Sequence, residues 1–303
     1  MTVAQVDAED RRAMPEGWTK ASTSGALDAS DVEEDRKRGY LAITGFANAD
    51  ELAAMQKRAV EIVEDFNYEK ASIFSTTDQK RTTDEYFLAS ANNVSCFFEE
   101  KAFDASGKLT VEKALSINKI GHALHDLEPV FQTFSRSAKV KTLLRSLGME
   151  NPTPVQSMYI FKQPSIGGEV VPHQDDTFLS SEPATCVGIW LALEDCTVHN
   201  GCLYAIDGTP DVHRRMEVDF PGGTRAIEFV GEAPRYDVDA AHPLEVPAGT
   251  LVLLHGANVH FSRANTSGKS RHAYSVHFVD LTVARWRETN WLQRAPDFPF
   301  RPL

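Results

Sequence analysis

A change of texture at Pro152 divides this chain and narrows the folds open to it. Beyond Pro152, short β-rich runs alternate with turn residues: Val155–Phe161, Val187–Leu193, Gly201–Ile206, Gly249–Leu254 and Ala273–Val279. Pro164, Gly167, Gly168, Asn200, Gly201, Gly208 and the stretch from Pro221 to Gly223 punctuate them. Before Pro152, apolar residues recur at helical spacing instead. Helices followed by strands predict a mainly β protein with flanking helices, a jelly-roll or cupin-like barrel buttressed by helices. No Pro/Gly/Ser-rich linker separates the two halves, so residues 41–303 read as one domain, with a helical N-terminal half and a β core from about residue 152. Residues 1–40 read as a flexible, solvated arm, polar around Ser22 to Gly25 and charged from Asp31 to Arg38.

The helical half carries three expected elements. Asn48 can cap a helix, Glu51 completes a capping box, and Leu52, Met55, Ala59, Ile62, Val63 and Phe66 form one apolar stripe. A second helix is expected over Lys119 to Leu127, broken at Pro129, and a third carries Val140, Leu143, Leu144 and Leu147 before a stop at Gly148.

Charge and cysteine usage exclude several function classes. The formal charge is -12, from 31 Lys+Arg against 43 Asp+Glu, which opposes binding to nucleic acid or to an anionic membrane. No apolar run approaches the roughly 20 residues of a membrane span. Cys96, Cys186, Cys196 and Cys202 make no CxxC pair and no zinc spacing, so they read as buried thiols in a reducing compartment. Met1 to Gly25 lacks the pattern of a secretory leader, and Arg301-Pro302-Leu303 differs from the Ser-Lys-Leu address, which makes the cytoplasm the expected location.

Among ten histidines, His173 stands out because His173-Gln174-Asp175 puts an imidazole and a carboxylate on one face of an extended segment. The apolar run Leu251 to Leu254 reads as a buried strand, Gly256 as a turn, and His260 as the opening of a new strand. Arg271 follows eleven residues later, on the next strand. Two histidines and one carboxylate on one face of a metal form the facial triad of non-haem Fe(II) oxygenases, whose open positions accept a chelating keto acid and O₂. A keto acid with a distal carboxylate needs a planar bidentate cation, which arginine supplies. His255 is a rival third ligand, although the step to Arg271 favours His260. His122 and His125 share helix spacing and read as packing residues, while His272 and His277 fall on opposite faces of one strand, so at most one faces the barrel interior. Asp176 would point away from Asp175 and reads as a supporting or solvated carboxylate.

These residues resemble the iron and 2-oxoglutarate signature of the phytanoyl-CoA dioxygenase family. The resemblance extends through Ser116-Ile117-Asn118-Lys119-Ile120-Gly121-His122-Ala123-Leu124-His125, Gln156 to Pro164, Gly167-Gly168-Glu169-Val170 and Asn290-Trp291-Leu292-Gln293, covering roughly Ala42 to Phe300. It implies a double-stranded β-helix with Fe(II) held by His173, Asp175 and His260. It also implies Arg271 on the distal carboxylate of 2-oxoglutarate, and Lys119, Met158, Gln174 and Trp190 lining the co-substrate pocket. Where the family carries Ile-Pro-Gly-Ser-His, this chain has Ile206-Asp207-Gly208-Thr209-Pro210, which is expected to reshape a loop near the substrate mouth.

The activity implied is hydroxylation of a small organic substrate with release of succinate and CO₂. Two other classes compete: a non-catalytic iron and 2-oxoglutarate binding module, and a cupin-like metalloenzyme without keto-acid chemistry. A keto-acid clamp at Arg271 has no use in the latter. A coenzyme A substrate is not implied, because the chain shows no Gly-rich cradle or dense basic cluster for its phosphates.

Overall fold

The structure is a computed structural model that describes residues 15–67, 72–74, 85–219 and 226–303. Strand β1 (Trp18–Lys20) lies parallel to β2 (Tyr40–Thr44), and helix α1 (Ala29–Arg38) connects them. Asp28 closes a capping box on α1, and Gly39 ends the helix in the left-handed conformation that glycine adopts at least cost. Arg38 is buried against Asp207 at 2.8 Å, Glu34 at 2.5 Å and Glu16. The arm expected over residues 1–40 is therefore corrected from residue 15 onward, since the charges from Asp31 to Arg38 form a capped helix anchored by ion pairs. The rest of that arm, residues 1–14, lies outside the described residues.

Helix α2 (Ala49–Asp65) follows the expected pattern, with the Asn48–Glu51 capping box formed and Met55, Ala59 and Val63 buried. Strands β3 (Ser72–Phe74), β4 (Val94–Glu99) and β5 (Ile117–His122) come next. Here the structure departs from the helix expected over Lys119 to Leu127. The segment Ile117–His122 pairs with β4 on one side and with β6 (Pro152–Ile160) on the other, and only one helical turn, Leu124–Leu127, remains. Two flanking ladders outweigh the local spacing of apolar residues. Pro129 does not end a helix but opens α3 (Pro129–Ser135), where its missing N–H has no partner to lose. Helix α4 (Ala138–Ser146) buries Val140, Leu143 and Leu144 as expected.

Beyond β6 lie β7 (Val170–His173), β8 (Val187–Ala192), β9 (Leu203–Ala205), β10 (Arg214–Val218), β11 (Ile227–Gly231), β12 (His242–Leu244), β13 (Leu251–His255), β14 (His260–Ser262) and β15 (Ala273–Asp280). Among the described residues the large sheet runs β1-β2-β13-β8-β15-β6-β5-β4-β3, and a second sheet runs β12-β9-β14-β7. Strands β10 and β11 form a separate antiparallel pair. The architecture is mainly β with helices on one side.

Alternate residues of the large sheet face two different cores. Leu191, Leu251, Leu253, Tyr274, Val276 and Phe278 pack against Met55, Ala59 and Val63 of α2, Phe131 and Phe134 of α3, and Leu143 and Leu144 of α4. Tyr40, Ala42, Trp190, Ala192, Val252 and Leu254 face the other way, toward Leu203, Ala205 and Leu244 of the second sheet. Each fully buried Leu or Phe contributes about 1.5–3 kcal/mol. Because both faces of β13 are covered, Leu251 to Leu254 is apolar without alternation.

Candidate active site

Between the two sheets lies a cavity of about 230 Å³. Its floor is built by register. His173, the last residue of β7, is the direct cross-strand partner of His260, the first residue of β14. Their ring centroids stand 4.4 Å apart. The chain then leaves the strand through Gln174 into a short 3-10 turn that begins at Asp175. The Asp175 Oδ1 atom lies 3.6 Å from His173 Nε2 and 3.7 Å from His260 Nε2. One donor atom from each of the three residues falls within 4.8 Å of the others, a cluster that could hold a metal ion.

The tautomers are arranged for that task. His173 Nδ1 is 2.9 Å from the Val171 carbonyl, and His260 Nδ1 is 3.3 Å from the Asn258 carbonyl. An Nδ1–H donated to backbone leaves the Nε2 lone pair for a metal. Burial pushes His260 down to about 4, which favours the neutral ligating form. Burial opposes ionisation of Asp175, yet the histidines around it, His277 and His260 foremost, hold its carboxyl well below the usual range. The donor set, two neutral imidazoles and one carboxylate beside an open cavity, suits Fe(II).

Arg271 lines the same cavity and is 1% exposed. Its Nε donates to the Gly201 carbonyl at 3.0 Å, its guanidinium carbon lies 5.0 Å from the Trp190 ring centre, and its Nη1 is buried without a hydrogen-bond partner among the described residues. A buried guanidinium nitrogen left unsatisfied loses its hydration for nothing in return, so such a group marks a place where an anion binds.

The family model for phytanoyl-CoA dioxygenase (PhyH) matches residues 36–273. The chain belongs to the phytanoyl-CoA dioxygenase family. It is 47% identical over 273 residues to the phytanoyl-CoA dioxygenase of Arabidopsis thaliana, a match spanning 90% of this chain and 95% of that protein. It is 44% identical over 286 residues to phytanoyl-CoA dioxygenase domain-containing protein 1 of Bos taurus, spanning 91% and 98% respectively. A solved structure, the non-heme alpha ketoglutarate dependent carbocyclase SnoK from nogalamycin biosynthesis, shares the fold with a TM-score of 0.61. That match covers 92% of this chain and 98% of the other at 18% identity.

Of the remaining residues implied by likeness to this family, Lys119, Met158 and Trp190 line the cavity. Lys119 lies 3.8 Å from Met158 Sδ and 5.5 Å from the Phe97 ring centre, and burial pushes it down to about 7. Gln174 does not line the cavity. Its amide nitrogen donates to the Pro210 and Ala257 carbonyls, and its oxygen accepts from Tyr236. Alternation explains this: with His173 turned inward, its neighbour turns outward. His255, the rival ligand, is exposed, and its ring accepts from the Ala257 N–H at 3.1 Å. Asp176 is not solvated. Among the described residues both its oxygens are buried without hydrogen-bond partners, and burial together with the Asp175 charge pushes it up to about 7.

Three cavity residues escaped the sequence reading. His277 Nε2 stands 3.1 Å from Asp175 Oδ2, while Oδ1 faces His173 and His260. Gly188, its partner on β8, leaves the necessary room, since a Cβ there would lie 3.3 Å from both Asp175 Oδ2 and His277 Cδ2. Ser262 stands two residues after His260 on β14. That spacing, and the expectation that at most one of His272 and His277 faces inward, are the available signals. In the divergent loop, Asp207 accepts both hydrogen bonds of Arg38 Nη1, and the Pro210 carbonyl accepts from the Gln174 amide.

Proposed function

We propose that this chain is a non-haem Fe(II)- and 2-oxoglutarate-dependent dioxygenase that hydroxylates a small organic substrate and releases succinate and CO₂. The observation that carries this reading is the convergence, in one cavity, of the His173, Asp175 and His260 donors with the unpaired, buried Nη1 of Arg271. The first three residues hold the metal, and Arg271 pairs with the distal carboxylate of the co-substrate. Bound Fe(II) supplies keto-acid chelation and activation of O₂. The protein's own contribution is geometric and electrostatic. Backbone carbonyls orient two imidazoles, His277 Nε2 stands beside Asp175 Oδ2, and Lys119, Met158 and Trp190 wall the co-substrate chamber.

The same proposal covers architecture and setting. From β6 to β15, the strands of the two facing sheets alternate as large, small, large, small, small, large, small, large. That alternation supports a double-stranded β-helix of jelly-roll type, within one domain that takes in β1 and α1 as well as residues 41–303. Phe87, Leu179, Met216, Phe229 and Trp291 line the rest of the cavity, which favours a compact substrate presenting an apolar surface. The four free, buried cysteines support a reducing setting such as the cytoplasm. No helix among the described residues is long and apolar enough to cross a membrane.

The test is succinate release from 2-oxoglutarate by the Fe(II)-loaded protein, screened against a panel of metabolites. Release above the substrate-free background identifies the substrate. A protein that binds iron and 2-oxoglutarate yet forms no succinate with or without substrate would be a binding module.

A further inference from the structure

Lys162 is buried at 2% exposure, lines the cavity, and has no acidic residue within ion-pairing distance among the described residues. Its backbone has φ 43, a left-handed conformation that a non-glycine side chain adopts at a cost. The ammonium donates to the Gly168 carbonyl at 2.6 Å and to Ser262 Oγ at 2.9 Å. Among the described residues no acceptor stands within reach of the Ser262 proton, and the Ser262 side chain lines the cavity. Gly201 serves both cations here. Its carbonyl accepts from Arg271, and a Cβ at Gly201 would lie 2.6 Å from Lys162 Cε, so only glycine leaves the lysine stem its path.

We propose that Lys162 is a positioning residue for the distal carboxylate of the dicarboxylate co-substrate, acting through Ser262 beside Arg271. The assignment rests on the Fe(II)/2-oxoglutarate reading above. By donating to Ser262 Oγ, the ammonium occupies a lone pair and turns the hydroxyl proton toward the cavity, where a carboxylate oxygen accepts it. The lysine charge then stands one hydroxyl away from the anion while Arg271 engages it directly. Burial and the neighbouring Arg271 charge push Lys162 down to about 7, with Glu99 opposing them. An anion seated between the two cations relieves that repulsion.

The experiment compares two keto acids on the anaerobic Fe(II)-loaded protein, with binding read by the visible absorption of the metal chelate. 2-Oxoglutarate carries the distal carboxylate, whereas 2-oxovalerate chelates identically and ends in a methyl group. Lys162→Met is expected to weaken 2-oxoglutarate by about 10-fold or more, the scale of a hydrogen bond to a charged group. Binding of 2-oxovalerate should change by less than about 2-fold, a small fraction of a kcal/mol. Ser262→Ala, which removes a single oxygen, should show the same selectivity and serves where Lys162→Met does not fold. Adding Lys162→Met to Ser262→Ala should then produce little further loss. Equal weakening of both acids would make Lys162 a support for the 162–168 loop and overturn the assignment, as would unchanged binding of 2-oxoglutarate. Wild-type protein that binds neither acid would retire the Fe(II)/2-oxoglutarate reading itself, and this assignment with it.

Discussion

Strand β15 presents two chemistries on its two faces. Tyr274, Val276 and Phe278 point into the helix-covered core, and Ser275 and His277 point into the cavity. Strand β8 divides the same way, with Leu191 toward the helices and Gly188 and Trp190 toward the cavity. The helix-covered face is closed by apolar side chains of α2, α3 and α4. The cavity face instead leaves polar atoms buried and, among the described residues, without hydrogen-bond partners: Arg271 Nη1, Ser275 Oγ and His277 Nδ1. The first face gains stability by excluding water. The second gives up part of that stability to keep charged groups poised for ligands.

Substitutions on the two faces should therefore separate stability from activity. The largest effect is expected at the donor triad. His173→Ala, Asp175→Ala or His260→Ala should each reduce Fe(II) affinity by about 100-fold or more and bring succinate production to background, because among the described residues only these three form a donor cluster tight enough for the ion. Thermal unfolding of the metal-free proteins should change far less. Activity surviving in His260→Ala would remove it from the triad.

Phe131→Ala tests the opposite face. Phe131 is fully buried in the helix-covered core, and its truncation should destabilise the protein by about 3–5 kcal/mol. Denaturant titration measures that loss, while succinate formed per folded molecule should hold near wild type. A catalytic defect at unchanged stability would erase the distinction between the faces.

Arg271→Ala should raise the apparent 2-oxoglutarate constant by roughly 30-fold or more, from the ~2–5 kcal/mol lost when one partner of a desolvated charge pair is truncated. Iron affinity should change little. Calorimetry that finds 2-oxoglutarate binding intact would exclude Arg271 from the co-substrate site.

His277→Phe keeps an aromatic ring but removes the nitrogen 3.1 Å from Asp175 Oδ2. A fall of about 10- to 100-fold in metal affinity is expected, typical of losing a partner of a ligating residue. His277→Gln, which can still donate, should recover part of it; equal loss in both variants would point to packing rather than hydrogen bonding. The smallest effect belongs to His255→Ala, an exposed position expected to stay within about 0.5 kcal/mol of wild type in stability and to keep its activity.

Local chemistry was legible in the order of residues. The Asn48–Glu51 capping box, the Met55–Ala59–Val63 stripe and the β-rich runs after Pro152 all form where their patterns predict, because helix caps and apolar periodicity act within a few residues. The pairing of His173-x-Asp175 with His260 was also readable, carried by spacing and by resemblance to the family. What lay beyond reach depends on contacts between distant segments. Ile117–His122 is a strand because β4 and β6 flank it, and residues 29–38 are anchored because Asp207, far along the chain, meets Arg38. Gln174, turned outward by alternation, finds its partners in Pro210, Tyr236 and Ala257, which converge on it from three other segments. His277, Ser262 and Lys162 acquire meaning only once two sheets close over one cavity. Their partners, Asp175, Lys162 and Gly168, are set by register and packing between those segments. Such long-range terms leave no periodic trace in the local sequence, so folding must bring the partners together before their chemistry can be read.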